Sequence, residues 1–342
     1  MAAEAKINNK KTIINNLKLS TMKKFLKYAI LIAVIPALLF SSCKEDNDDV
    51  TPARQTDVEF QTLKTYLVQQ NLDLNNILND WIVPAATVNA DLANYFIIDI
   101  RSATDYTTSH ITGAVNSTLA NVLTTAENAA GKTIVVVCYT GQTAGHAVAA
   151  LRLSGYTTAK VLKWGMSGWT SALDSWSNNT NTLGHANWVA APGAIVESTT
   201  EYADPDITET GTGAEILAAR VSSLLAGGLR GVTAANVLDG LSSYYINNYW
   251  AATDVETYGN ISGAHRINPL TLAGEEFKYL DPSKDIVTYC WTGQTSSVIT
   301  AYLYVIGYNS HSLKFGSNAM IYDDLAAGGT KWSAPTTDLP LE

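Results

Sequence analysis

Short β-branched runs alternate along this chain with stretches whose apolar positions recur at helical spacing. Tyr95–Ile100 (YFIIDI) and Lys132–Cys138 (KTIVVVC) are continuously apolar and rich in Val and Ile, the pattern of strands buried on both faces. Leu119–Ala130 between them reads as helical. After Cys138, Thr143–Ser154 has helical composition and stops at Gly155, and Ala159–Leu162 returns to strand. Ahead of these, Phe60, Leu63 and Leu67 fall at i, i+3 and i+7 within Phe60–Leu78 and predict an amphipathic helix. Strand alternating with helix predicts a parallel sheet covered on both faces.

The pattern then recurs. Cys138 to Gly155 and Cys290 to Gly307 are both separations of 17 residues, and each glycine precedes a tyrosine, Tyr156 and Tyr308. HITGA at 110–114 answers to NISGA at 260–264, and LKWG at 162–165 to LKFG at 313–316. Such self-similarity predicts a tandem duplication, with copies at 57–175 and 213–333 and a tail at 334–342. Residues 176–212 between them are dominated by Ser, Thr, Asn, Asp and Gly and read as a surface connection pinned by Trp188 and Val189. A length of 342 residues suits about two domains of this size.

Composition changes the picture mainly at the amino terminus. Overall, 46% hydrophobic and 15% charged residues are those of a globular chain with ample core. Residues 1–42, however, carry seven lysines and one acid, and removing them takes the net charge from −9 to −15. A chain that acidic is a poor partner for nucleic acid. Met22–Cys43 has basic residues at Lys23, Lys24 and Lys27, an apolar run from Ala29 to Phe40, then Ser41, Ser42 and Cys43. That run is too short for a bilayer span, which needs roughly 20 residues, and reads as an export signal. Its ending LLFSSC resembles a bacterial lipoprotein signal, with Cys43 the lipidated residue. The acidic stretch at 43–56, with KEDNDD at its start, resembles the export tag of Bacteroidetes surface lipoproteins. The resemblance implies an amino-terminal lipid anchor in the outer membrane, facing the cell surface. Met22 is the better candidate start codon.

The chemistry concentrates where strand meets turn. VVVCYTGQT (135–143) and VTYCWTGQT (287–295) each place a cysteine at a strand end, before a Gly-containing loop and a helix. Successive peptide N–H groups and the positive end of the helix dipole converge on such a sulfur and favour thiolate, as a nucleophile at neutral pH requires. Both thiols are therefore expected to titrate below the roughly 8.5 of a free cysteine. Gly141 and Gly293 would supply the positive φ that the loop needs. His146, eight residues after Cys138 and near the start of a helix, reads as solvated, and His110 as a packed turn residue.

These motifs together resemble the rhodanese family. Asp99–Asn116 (DIRSATDYTTSHITGAVN) is similar to its Asp-x-Arg strand end and Gly-His-Ile-Pro-Gly-Ala motif, departing at Ser109 and Thr112. CYTGQT resembles its Cys-x-x-Gly-x-Arg/Thr loop, and Gly155–Trp169 its closing strand, Gly turn and Trp. The resemblance implies two tandem rhodanese-like domains, each an α/β unit with a mainly parallel five-stranded sheet flanked by helices. It implies a sulfurtransferase without metal or organic cofactor, taking sulfane sulfur from a small anionic or polysulfide donor and passing it to a thiol acceptor. Cys138 and Cys290 would be the nucleophiles. Tyr139, Thr140, Gly141, Gln142 and Thr143, with Trp291, Thr292, Gly293, Gln294 and Thr295, would bind substrate, the Thr143 and Thr295 hydroxyls adding a hydrogen bond. Arg101 is a further substrate-binding candidate, weighed against a structural ion pair.

Departures leave alternatives open. Neither loop holds Arg or Lys, which puts thiosulfate specificity in doubt, and the sixth residue after the cysteine is Ala144 or Ser296 where a phosphatase would need Arg. The second copy lacks the Asp-x-Arg pair, whose place falls within Asn247–Ala251, and carries Asn260 for His110 and Met320 or a neighbour for Trp169. Copy one is thus expected to carry most turnover. A Cys138–Cys290 disulfide, and a non-catalytic module binding anions or proteins at the cell surface, are the competing readings.

Overall fold

The structure, a computed structural model, describes residues 54–342. The expected export signal and Cys43 lie outside them. Eleven short strands among the described residues build two parallel sheets and one small ribbon. The first sheet contains β1 (Ile82–Val83), β2 (Tyr95–Asp99), β3 (Val115–Asn116), β4 (Thr133–Val137) and β5 (Lys160–Leu162), in the order β1-β5-β4-β2-β3. After a ribbon strand, β6 (Trp188–Val189), the second sheet is formed by β7 (Gly231–Val232), β8 (Tyr244–Asn248), β10 (Asp285–Tyr289) and β11 (Ser310–Leu313), in the order β7-β11-β10-β8. Every pairing within both sheets is parallel.

The first sheet has the five strands expected, whereas the second has four. The segment answering to β3 reduces to single bridges from His265 to Asn247 and Val196. Just upstream, β9 (Asn260–Ile261) pairs antiparallel with β6 of the connection, so its backbone is spent outside the sheet.

Four longer helices, α1 (Val58–Gln69), α2 (Gln142–Leu153), α3 (Gly213–Ala226) and α4 (Gln294–Val305), fill the space between the sheets. One continuous core joins both copies there: Phe60, Leu63, Val136, Val148, Leu151, Ile216, Ile286, Val298, Ile299 and Tyr302 belong to it. The far face of each sheet has its own smaller core, around Val135, Val137 and Trp169 in the first and Ile246, Val287 and Tyr289 in the second. Burial on both faces explains why β4 and β10 read as unbroken apolar runs.

The helix expected over Phe60–Leu78 is broken. Asn71 takes φ +56°, and Asp73 then caps a short second helix, its carboxylate accepting the N–H of Leu74 at 2.7 Å. The stretch 119–130 is likewise only one turn of α-helix, Val122–Ala126, followed by a 3-10 turn.

Residues beyond each copy cross to the other. Asp204 of the connection pairs with Arg54 before α1. At the far end, the backbone of Glu342 exchanges two hydrogen bonds with His110, at 2.9 and 2.8 Å, and Pro340 O accepts from Trp169 Nε1 at 2.9 Å. Residues 338–342 therefore seat on the first copy.

Candidate functional site

Each cysteine directly follows the central strand of its sheet. β4 ends at Val137 and β10 at Tyr289, and the chain then turns through Gly141 or Gly293 into α2 or α4. The turning glycines take φ +82° and +73°, backbone that a side chain would strain. The loop thereby curls its peptides around the sulfur. Cys138 Sγ accepts the N–H groups of Gly141 at 3.1 Å and Ala144 at 3.4 Å. Cys290 Sγ accepts the N–H of Ser296 at 3.3 Å. Both cysteines are 3% exposed and free, so the disulfide alternative is not the arrangement found.

The copies part company at the sixth residue. Ser296 Oγ lies 3.5 Å from Cys290 Sγ and 2.8 Å from Ser312 Oγ, which donates to Gly293 O at 3.3 Å. The matching residues in copy one, Ala144 and Val161, offer no hydroxyl. Among the described residues the Thr143 and Thr295 hydroxyls make no hydrogen bond to sulfur; Ser296 takes that part in the second copy. Burial pushes the Cys138 thiol up, against the N–H groups of Ala144, Thr140, Gly141 and Thr143 that pull it down. The expected depression below a free thiol therefore fails at Cys138, because a dry floor without a cation penalises the charge more than four peptide dipoles favour it.

Arg101 is engaged as a brace within the first copy. Its Nη2 donates to Asp99 Oδ2 at 2.7 Å and to Ser109 O at 2.7 Å, with both side chains 1% exposed. The pair locks the turn after β2 to the HITGA segment, since a buried guanidinium needs its donors occupied. Sheet register puts Asn248 in the place of Asp99 and Trp250 in that of Arg101. The turn survives the exchange: Arg101 N–H reaches Asp99 Oδ1 at 2.9 Å, and Trp250 N–H reaches Asn248 Oδ1 at 3.1 Å. Trp250 then stacks under Trp291 with ring centroids 4.1 Å apart, an aromatic support where copy one has an ionic one. Tyr139, by contrast, is 40% exposed at its loop, with its hydroxyl on Asp105.

His146 corrects the sequence reading most sharply, being fully buried rather than solvated. Its Nε2 accepts the N–H of Arg230 at 3.2 Å, which leaves the proton on Nδ1 to be donated to Ser297 Oγ at 2.8 Å. Ser297 Oγ in turn donates to Gln142 O. Burial first, then the nearby Arg230, pushes the imidazole down to about 3. It is a neutral tie between the copies. His110 is packed as expected, its ring 4.0 Å from that of Tyr106 and its Nδ1 on Tyr106 O.

The two loops stand back to back. Gln294 Nε2 of the second loop donates to Thr140 O of the first at 3.3 Å. Gln142 Oε1 of the first accepts the N–H of Phe315 at 2.8 Å, beside the second loop. Both glutamines, expected to face substrate, are buried between the copies. Trp176 is a residue the sequence reading passed over at a domain boundary. It is fully buried, its Nε1 donating to the same Thr140 O at 3.2 Å, and it stacks on Trp332 at 5.5 Å.

Residues 85–172 match the family of rhodanese-like domains. The chain contains a rhodanese-like domain. The match covers β2 to β5 of the first sheet and its cysteine loop, and the second sheet repeats the strand order of the first without its β3 edge. No curated protein matches the chain. Among solved structures, a thiosulfate sulfurtransferase from Pseudomonas aeruginosa is 17% identical, covering 81% of this chain and 49% of its own, with a TM-score of 0.28. A 3-mercaptopyruvate sulfotransferase from Escherichia coli is 16% identical over 69% of this chain and 98% of its own, also at 0.28. A rhodanese-related protein from Thermoplasma volcanium, 19% identical, covers 26% of this chain and 89% of its own at 0.24. TM-scores of 0.24 to 0.28 are too low to bear on the chemistry of the site.

Proposed function

We propose that this protein is a sulfurtransferase that carries sulfane sulfur as a cysteine persulfide. The observation that carries the reading is the floor of the rhodanese-like loop, where Cys138 Sγ meets inward-facing peptide N–H groups from Gly141 and Ala144 at 3.1 and 3.4 Å. Those N–H groups favour anionic sulfur, whether thiolate or persulfide, against the burial that raises the resting thiol. The thiolate attacks the outer sulfur of a donor and forms an S–S bond, and the donor's remaining fragment leaves with the electron pair. A thiol acceptor, as thiolate, then attacks the outer persulfide sulfur and carries it away, returning the cysteine as thiolate. With no Arg or Lys in either loop, a dianion such as thiosulfate gains little charge neutralisation, which favours 3-mercaptopyruvate or polysulfide donors.

The test is to incubate the protein with thiosulfate, 3-mercaptopyruvate and polysulfide in turn, then read the mass of the Cys138 and Cys290 peptides and the thiocyanate released by cyanide. Gain of one sulfur atom, lost again to cyanide, is expected. No gain at either cysteine with any donor overturns the reading. It would favour the second one, a non-catalytic module binding anions or proteins, for which the raised Cys138 thiol speaks.

We further propose export as a lipoprotein acylated at Cys43, on the strength of LLFSSC and the short apolar run before it. Among the described residues no helix is long and apolar enough to cross a membrane. Mass spectrometry of the mature amino-terminal peptide decides the matter, and an unmodified terminus downstream of Cys43 refutes it.

A further inference from the structure

The peptide between Thr140 and Gly141 is the link between the two copies. Its N–H end is the nearer of the two peptide donors to Cys138 Sγ, at 3.1 Å. Its carbonyl end accepts two side-chain donors from outside the first sheet: Trp176 Nε1 of the connection at 3.2 Å, and Gln294 Nε2 of the second cysteine loop at 3.3 Å. A peptide is rigid and planar, so holding its oxygen fixes the direction of its N–H.

We propose that Gln294 and Trp176 are positioning residues for Cys138, so that the first sulfur site is completed by the second copy. Both side chains are held for the task. Gln294 is 1% exposed and lies where a Cβ on Gly141 would stand, which is why that position admits only glycine. Trp176 is fully buried, with Trp164, Phe315 and Trp332 around its ring. The arrangement is reciprocal in outline. Gln142 holds the N–H of Phe315, and the next residue, Gly316, lies so close to Cys290 O that a Cβ there would collide with it.

The inference deepens the sulfur-transfer reading but is tested without it, because its readout is the ionisation of Cys138. The titratable groups on the elements packed around that sulfur are Asp99 and Arg101, committed to each other, Tyr139, Lys163, whose Nζ lies over the Trp164 ring, and His146, which is neutral. None is touched by the test. Gln294→Met keeps the bulk, Trp176→Phe keeps an aromatic ring, and both remove the donor; Trp176 lies outside both loops. In the full-length protein, alkylation rates of Cys138 and Cys290 are read on their own peptides across pH, with unfolding curves run alongside.

Loss of one neutral hydrogen bond to the carbonyl loosens the N–H it directs. The expected result is a fall of about threefold to tenfold in Cys138 alkylation near neutral pH in each variant, with its pH profile displaced upward. Trp176→Phe is expected to leave the Cys290 profile in place. A purely structural role would lower the melting temperature and leave the Cys138 profile where it was. Unchanged Cys138 profiles in both variants, folded by their melting curves, overturn the proposal. Should Cys138 ionise as inferred while no donor loads it with sulfur, positioning stands and the sulfur-transfer reading falls.

Discussion

Replacing Ser296 by alanine gives the second copy the sulfur environment of the first, where the same position is Ala144. The hydroxyl lies 3.5 Å from Cys290 Sγ and 2.8 Å from Ser312 Oγ; it gives its proton to the sulfur only when Ser312 turns its own proton from Gly293 O, 3.3 Å away, to Ser296, and in the alanine variant Ser312 returns to Gly293 O. The substitution therefore leaves no buried polar group orphaned, and its effect falls on the sulfur. A hydrogen bond to a charged group is worth about 1.5–3 kcal/mol, and a contact this long sits at the low end. The thiol form donates a weaker bond of its own to the hydroxyl, and the thiolate form gives up the Ser312–Gly293 bond, so the net preference for thiolate is at most about 1 kcal/mol. Since 1.36 kcal/mol is a factor of ten, Ser296→Ala should slow Cys290 alkylation near neutral pH by up to about fivefold. The assay is peptide-resolved alkylation across pH, in which Cys138 serves as internal control because its contacts are unchanged. A Cys290 profile that stays in place, or moves downward, would refute the claim that the hydroxyl pair supports the anion.

Three further outcomes are expected. His146 is held near 3 in the folded chain against 6.5 unfolded, so its stabilising neutrality is complete above about pH 6.5 and is lost as pH falls toward 3. The unfolding free energy of wild type should thus drop between pH 6.5 and 4.5 more steeply than that of His146→Gln, and parallel pH profiles would refute it. Arg101→Met leaves the Asp99 carboxylate buried without its partner and should cost about 3–5 kcal/mol in urea unfolding, with Asp99→Asn in the same chain restoring much of the loss. If the single and double variants are equally unstable, the ion pair is not what braces that turn. Gly141→Ala meets both a left-handed φ and the Gln294 side chain, and should slow alkylation of Cys138 below the wild-type rate; wild-type reactivity in a folded variant would contradict the geometry.

Periodicity and repetition made the sheets and both sulfur sites legible, because β-branched runs ending in cysteine report only local order. Partnership across the copies was less so. Gln142 and Gln294 looked like loop residues facing a ligand, yet one loop's glutamine braces the other copy in each case. Their recurrence at the same place in both loops was the available signal. Trp176 sat at a composition change and was cut away as the start of a connection. The shortened second sheet was illegible for a different reason: its missing edge depends on β6 drawing β9 aside, a pairing between segments some 70 residues apart.

His146 shows where the argument could have gone further on sequence alone. From Ala144 to Leu153 the chain reads AGHAVAALRL, with only His146 and Arg152 polar, whereas a helix lying on one sheet with its back to water shows a polar face every turn. An apolar circumference predicts burial all round, and the structure supplies the reason: α2 lies between its own sheet and α4 of the other copy. Each polar residue in such a helix has to find its partners inside the protein. Arg152 finds them in the carbonyls of Ile77, Asn79, Asp80 and Ala159, and His146 in Arg230 and Ser297 of the second copy. Two sulfur sites whose helices bury one another share one core and one hydrogen-bonded seam. A change in a side chain that crosses the seam, as Gln294 does to Thr140 O, therefore reaches a peptide that holds the sulfur on the other side.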